Sequence, residues 1–191
     1  MAKPCKTTSI LKGVALACYC LGAGFASQAH ADTDSRLEHA ASAFFRVYIA
    51  ARPAGIPNGV IRAKFSPVIS HTLAQLLERA DAAERHYAKV TGRLVPPLIQ
   101  GDVFTSLFEG AEKFTVRDCK RTAVATFCDI ELRYGTGNSR ALWVDKIFLV
   151  RNGGRWVVDD IEYGGDWGFM HKGRLKDVLR RVILDGNHAR P

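Results

Sequence analysis

The chain has 191 residues, 47% of them hydrophobic, with 27 Lys and Arg against 19 Asp and Glu and a net charge of +8. That length suits one domain with a full core. No run of five Lys or Arg and no basic stripe interleaved with aromatics is present, which argues against nucleic acid as a partner, and no internal repeat or low-complexity tract appears.

The first 31 residues read as a secretory leader. Lys3, Lys6 and Lys12 give a basic start, Gly13 to Phe25 is apolar and uncharged, and Ala29-His30-Ala31 stands before Asp32 as a small-residue cleavage site. The apolar run is shorter than the ~20 residues that span a bilayer. The expected organisation is a signal peptide over 1–31 and a single exported domain over 32–191. Such a domain would be periplasmic or secreted, with no transmembrane anchor after cleavage. Val14-Ala15-Leu16-Ala17-Cys18 loosely resembles a lipoprotein box, so lipidation at Cys18 is the alternative. The three lysines lost with the leader bring the net charge from +8 to +5. Cys5, Cys18 and Cys20 leave with them, and Cys119 and Cys128 remain. In an oxidising compartment such a pair is expected to be a disulfide. Without a Cys-x-x-Cys motif, redox catalysis is not indicated.

Helical periodicity follows. Leu37, Ala40, Ala41, Phe44, Val47, Tyr48 and Ala51 form one stripe over Asp34–Arg52, with Asp34 or Ser35 as the cap and Pro53, Gly55 and Pro57 as the stop. Asn58 to Phe65 fits a short helix or a loop. A second long helix is expected from Ser66-Pro67, a good cap and first-turn pair, to Gly92. Ile69, Leu73, Leu76, Leu77, Ala80, Ala83 and Tyr87 lie on its apolar stripe.

Beyond Pro96-Pro97 the pattern changes. Leu98–Phe108, Lys113–Cys119, Thr122–Tyr134, Arg140–Arg151 and Arg155–Tyr163 are rich in aromatic and β-branched residues, as strands are. Gly135-Thr136-Gly137-Asn138 and Asn152-Gly153-Gly154 signal hairpins, so neighbouring strands run antiparallel. Leu175, Val178, Leu179 and Val182 predict a short last helix that stops near Gly186-Asn187. Helices followed by a meandering sheet make the fold class α+β. Lys172, Arg174, Lys176, Arg180 and Arg181 on the last helix are either a solvated face or a patch for an acidic partner.

Three blocks carry a resemblance: Gly101-Asp102-Val103-Phe104-Thr105-Ser106-Leu107-Phe108-Glu109-Gly110, Trp143-Val144-Asp145 and Arg155-Trp156-Val157-Val158-Asp159-Asp160-Ile161. Together they resemble an uncharacterised family of bacterial envelope proteins with an NTF2-like (cystatin-like) fold, over roughly Leu37 to Leu184. The resemblance implies N-terminal helices packed on a curved antiparallel sheet, a cone with a pocket at its open end, and an envelope location. It implies no agreed activity and no catalytic residues.

Asp145, Asp159, Asp160 and Glu162 are the candidates for chemistry. Asp160 and Glu162 share a strand face ~6.5–7 Å apart, a spacing suited to acid/base work if burial splits their pKa values. The same carboxylates can instead pair with Arg140, Arg151 or Arg155, or face water. Asp102 and Glu109 suit turns and strand ends, and Ser106 lacks a Gly-x-Ser-x-Gly setting. His39, His71, His86, His171 and His188 form no His-x-x-x-His pair, and no metal or other cofactor is indicated. Trp143, Trp156 and Tyr163 are core or pocket aromatics. Trp167 and Phe169, in a glycine-rich segment after the last strand, are candidates for a binding rim. The expected function is an exported binding module for a protein or an apolar small molecule, of the immunity or envelope-accessory kind. A hydrolase or isomerase using Asp145 and Asp160 in the cone is the alternative.

Overall fold

A computed structural model of the chain describes residues 24–93, 96–137, 140–168 and 171–189, with side chains from Asp34 onward. The basic start, Cys5, Cys18 and Cys20, as well as Asn138 and Phe169, lie outside the described residues. The fold is α+β: helices α1 (Gly24–Ala51), α2 (Gly59–Phe65) and α3 (His71–Val90), strands β1 (Lys113–Arg121), β2 (Thr126–Tyr134), β3 (Ala141–Asn152) and β4 (Arg155–Glu162), and helix α4 (Leu175–His188). The strands form one open antiparallel sheet in the order β1-β2-β3-β4. No helix of the described residues is long and apolar enough to cross a membrane.

Helix α1 begins ten residues before the expected start at Asp34, so Asp34 and Ser35 lie within it rather than capping it, and it passes through the Ala31–Asp32 bond. Leu37, Ala41, Phe44 and Phe45 are fully buried on its inward stripe, against the sheet. Phe65 of α2 and Phe104 join Phe44 in an aromatic cluster, with Phe65 and Phe104 centroids 4.8 Å apart and Phe44 and Phe104 5.5 Å apart. Such packing stabilises the core beyond its buried area.

The second long helix starts four residues later than Ser66-Pro67 predicts. Ser70 is its cap, accepting the Leu73 N–H at 3.0 Å. The residues before it are used elsewhere. Ser70 N–H donates to the Val158 carbonyl at 2.8 Å, and Val158 N–H donates to the Val68 carbonyl at 2.9 Å. A short parallel bridge at Ile69 thus covers the outer edge of β4, a common means of protecting a sheet edge. The opposite edge, β1, has no strand on its outer side among the described residues and carries Lys113, Arg117, Lys120 and Arg121, charges that discourage further pairing.

The β3–β4 hairpin closes on Gly153-Gly154, both at positive φ (56° and 83°), between the paired Asn152 and Arg155. This two-residue turn is the one that glycine permits. Cys119 and Cys128 face each other across β1 and β2 and form a disulfide.

Two expectations fail for physical reasons. Leu98–Phe108 is not a strand, because Asp102 draws the N–H groups of Phe104 and Thr105 onto its own carboxylate, and such side-chain bonds compete with a ladder. Gly186 does not end α4, which runs on to His188. It lies on the buried stripe Leu175, Val178, Leu179, Val182, Ile183, Gly186, where α4 packs on α3. A Cβ there would fall 2.7 Å from the Ala83 carbonyl oxygen. Glycine is therefore what the approach of the two helices requires. In an open helix Gly→Ala gains about 1 kcal/mol. Here Gly186→Ala is expected to lose about 1–3 kcal/mol by overpacking, read as a lowered urea midpoint at unchanged slope; a raised midpoint would refute the close approach.

Candidate functional site

Two buried carboxylates organise the segment between α3 and β1. Asp102 is 6% exposed. Its Oδ1 accepts the backbone N–H groups of Phe104 and Thr105, both at 2.7 Å, and its Oδ2 accepts the Tyr48 hydroxyl at 2.7 Å. The Tyr48 oxygen in turn accepts the Ala111 N–H at 2.7 Å, and Asp102 N–H donates to the Phe108 carbonyl at 2.8 Å. The Gly101–Gly110 block is thus a closed loop pinned to α1. Burial pushes the Asp102 carboxyl up to about 7, against the lowering effect of its hydrogen bonds. Burial and the neighbouring Asp102 push the Tyr48 phenol far above its ordinary range.

Asp145 performs the same service from β3. It is 1% exposed and accepts four hydrogen bonds: from Ser106 N–H at 2.9 Å, from the Ser106 hydroxyl, from Trp143 Nε1 at 3.0 Å and from Gly164 N–H at 2.8 Å. The Ser106 hydroxyl also accepts the Gly165 N–H at 3.0 Å. One carboxylate therefore ties β3 to the Asp102 loop and to the chain leaving β4. Burial raises its pKa, with the Ser106 hydroxyl opposing first.

Asp160 sits elsewhere. Asp145 pairs in register with Ile130, and Ile147 with Ile161, on the core face; Asp160 pairs with Phe148 on the opposite face. The two proposed acid/base partners are separated by the sheet. Asp160 Oδ1 accepts the N–H groups of Ile161 at 2.9 Å and Lys176 at 3.0 Å. It thereby caps α4, whose own cap position, Arg174, makes no side-chain capping bond. Burial raises the Asp160 carboxyl, against the Lys176 and Ile161 N–H bonds. Asp159 accepts the Ser70 hydroxyl at 2.6 Å and Lys176 Nζ at 2.5 Å, so it joins the starts of α3 and α4. Glu162 pairs with Arg174 at 3.3 Å. Asp160 and Glu162 do share a face. Their cationic partners are Arg174, Lys176 and Lys146 rather than the Arg140, Arg151 or Arg155 expected from the sequence. The Arg174 guanidinium lies 3.9 Å over the Phe148 ring, beside a charged cleft of about 590 Å³ at the start of α4.

The aromatic candidates separate. Trp143 is buried, donates to Asp145, and meets Trp167 edge-on at 5.4 Å. Trp167 is half-buried on the core, and Phe169 lies outside the described residues. Tyr163 is buried, with its hydroxyl donating to the Val103 carbonyl at 2.7 Å and its ring 5.8 Å from His171. Burial, then Arg181, lowers the His171 pKa. Trp156 lines an open cleft, with the Arg151 guanidinium 4.4 Å over its ring. Among the described residues no three His, Cys, Asp or Glu side chains could hold a metal ion together.

Sequence reasoning missed Glu84. Its Oε1 accepts the Leu98 N–H at 3.0 Å, while its Oε2 is buried without a hydrogen-bond partner among the described residues. Burial raises its pKa. An acidic residue on the polar side of a helix gives no signal of this in sequence. No family model, curated protein or solved structure matches the chain.

Asp145→Asn would turn an amide NH₂ toward donors now bound by a carboxylate oxygen. It is expected to cost about 2–4 kcal/mol of unfolding free energy, measured by urea denaturation; a loss under about 0.5 kcal/mol, the scale of an ordinary surface substitution, would show that Asp145 does not hold these segments together. Asp102 carries a pH signature. Its folded pKa of about 7 lies above the ordinary 3.8, so between these values the folded state binds more protons than the unfolded one. Its contribution is full below about pH 4 and is lost as pH rises through about 7. Denaturation between pH 4.5 and 8 should show a steeper fall for the native chain than for Asp102→Asn; parallel profiles would contradict the assignment.

Proposed function

We propose that the chain is an exported, non-catalytic binding module of NTF2-like build that takes a small molecule or a protein in the bacterial envelope. The observation that carries the reading is the fate of the acid/base candidates. Asp145 and Asp160 lie on opposite faces of the sheet, and each is held by protein donors. A general acid or base needs a lone pair or proton within reach of substrate. Here the lone pairs of Asp145 are committed to Ser106, Trp143 and Gly164, and Asp160 holds the start of α4. The α+β order and the packing of α1 against an open antiparallel meander support the NTF2-like build. The leader pattern and the Cys119–Cys128 disulfide support export to an oxidising space.

Two measurements test this. N-terminal sequencing of the protein from an exporting host should begin at Asp32; an intact Met1, or a lipid-modified Cys18, overturns cleavage after Ala31. Mass spectrometry of the purified protein should find a retained small molecule or a stoichiometric partner that is released unchanged. Turnover of that molecule, lost in a folded Asp160→Asn variant, would make the protein an enzyme.

A further inference from the structure

A second cleft sets arginines beside a tryptophan. It has a volume of about 560 Å³ and lies where α1, the connection from α2 to α3 and the β3–β4 hairpin meet. Arg36 and His39 come from α1, Pro67 from the connection, and Arg151, Arg155 and Trp156 from the hairpin. The described residues that line it carry three arginines and a histidine and no carboxylate. Alanines, Pro67 and Val68 supply the apolar surface. Trp156 Nε1 is buried and has no hydrogen-bond acceptor among the described residues. An unpaired buried indole N–H is unfavourable, and such an exception calls for an explanation, of which a missing partner is one. The volume falls within the range of small-molecule sites, about 300–1,000 Å³.

We propose that this cleft binds a small organic anion, a carboxylate or phosphate on an apolar body, with Arg151 and Arg155 as the anion-binding groups and Trp156 as its aromatic wall. Guanidinium groups match both head groups through paired charge-assisted hydrogen bonds. The apolar body covers the Pro67–Val68 wall. The inference rests on the non-catalytic reading and supplies its ligand class.

The chain has three tryptophans, so its indole N–H signals can be followed singly by ¹H–¹⁵N NMR of the labelled protein. Trp156→Phe assigns the Trp156 signal. Benzoate and phenyl phosphate are the probes; benzamide and inorganic phosphate are the controls. The expected result is a saturable shift of the Trp156 signal with at least one organic anion, the stronger of the two identifying the head group. Benzamide should leave the signal in place, and Arg155→Gln should weaken the response about tenfold. Arg155 is exposed, so this variant is expected to fold. A Trp156 signal unmoved by both anions, or moved equally by benzamide or inorganic phosphate, overturns the proposal while leaving a binding module with another contact surface. Binding accompanied by hydrolysis of phenyl phosphate overturns the non-catalytic reading while leaving the cleft.

Discussion

The carboxylate of Asp145 is the fixed point of the molecule. A charged group at 1% exposure is unfavourable unless its lone pairs are filled, and four donors from three segments fill them. The Asp102 loop, the indole of Trp143 and the chain beyond β4 are placed by that requirement. Asp102 repeats the arrangement from within the loop and ties it to Tyr48 on α1. The irregular Gly101–Gly110 loop is thereby held by specific hydrogen bonds, although it is no strand.

The charged residues of β4 extend the same logic to the helix termini. Asp159 bridges Ser70 at the start of α3 to Lys176 in α4, and Asp160 supplies the cap that Arg174 does not. Two adjacent acidic residues of one strand thus tie the starts of two helices to the sheet. Oδ1 of Asp160 and both oxygens of Asp159 are thereby engaged in holding the two helices to β4.

On the outer face of the sheet Glu131 lies between Arg117 and Arg133, whose hydrogen bonds hold its pKa below the usual range. Leu142 and Val144 beside it remain about half exposed, at 48% and 47%. Charge pairing of this kind contributes little stability where water screens it. The hairpin edge is different, because Arg151 stacks on Trp156 and Arg155 adds a second positive group over an apolar wall. The same residue type balances acids on the sheet and lines a cleft at the hairpin.

Local sequence was enough for the α+β class, the stripes of α1, α3 and α4, the four antiparallel strands with the Gly153-Gly154 turn, and the Cys119–Cys128 pair. These follow from periodicity, glycine's positive φ and cysteine count. Specific hydrogen bonds and packing contacts settled the rest. Ser66-Pro67 is locally a better helix start than Ser70, but Val68 and Ser70 bond to Val158, some ninety residues away. Gly186 looks like a stop until Ala83 is placed against it. Leu98–Phe108 has strand composition, yet Asp102 captures its amides. Asp145 and Asp160 look equivalent until the register puts them on opposite faces, and Trp156 looks like core until Arg151 and Arg155 come to stand beside it. The start of α3, the place of Gly186 and the faces of Asp145 and Asp160 depend on which distant donor, backbone or strand comes within a few ångströms, and neighbouring residues in the chain carry no record of that; the Asp102 loop and the Arg155–Trp156 pair are local, and there the packing around them decided their part in the fold.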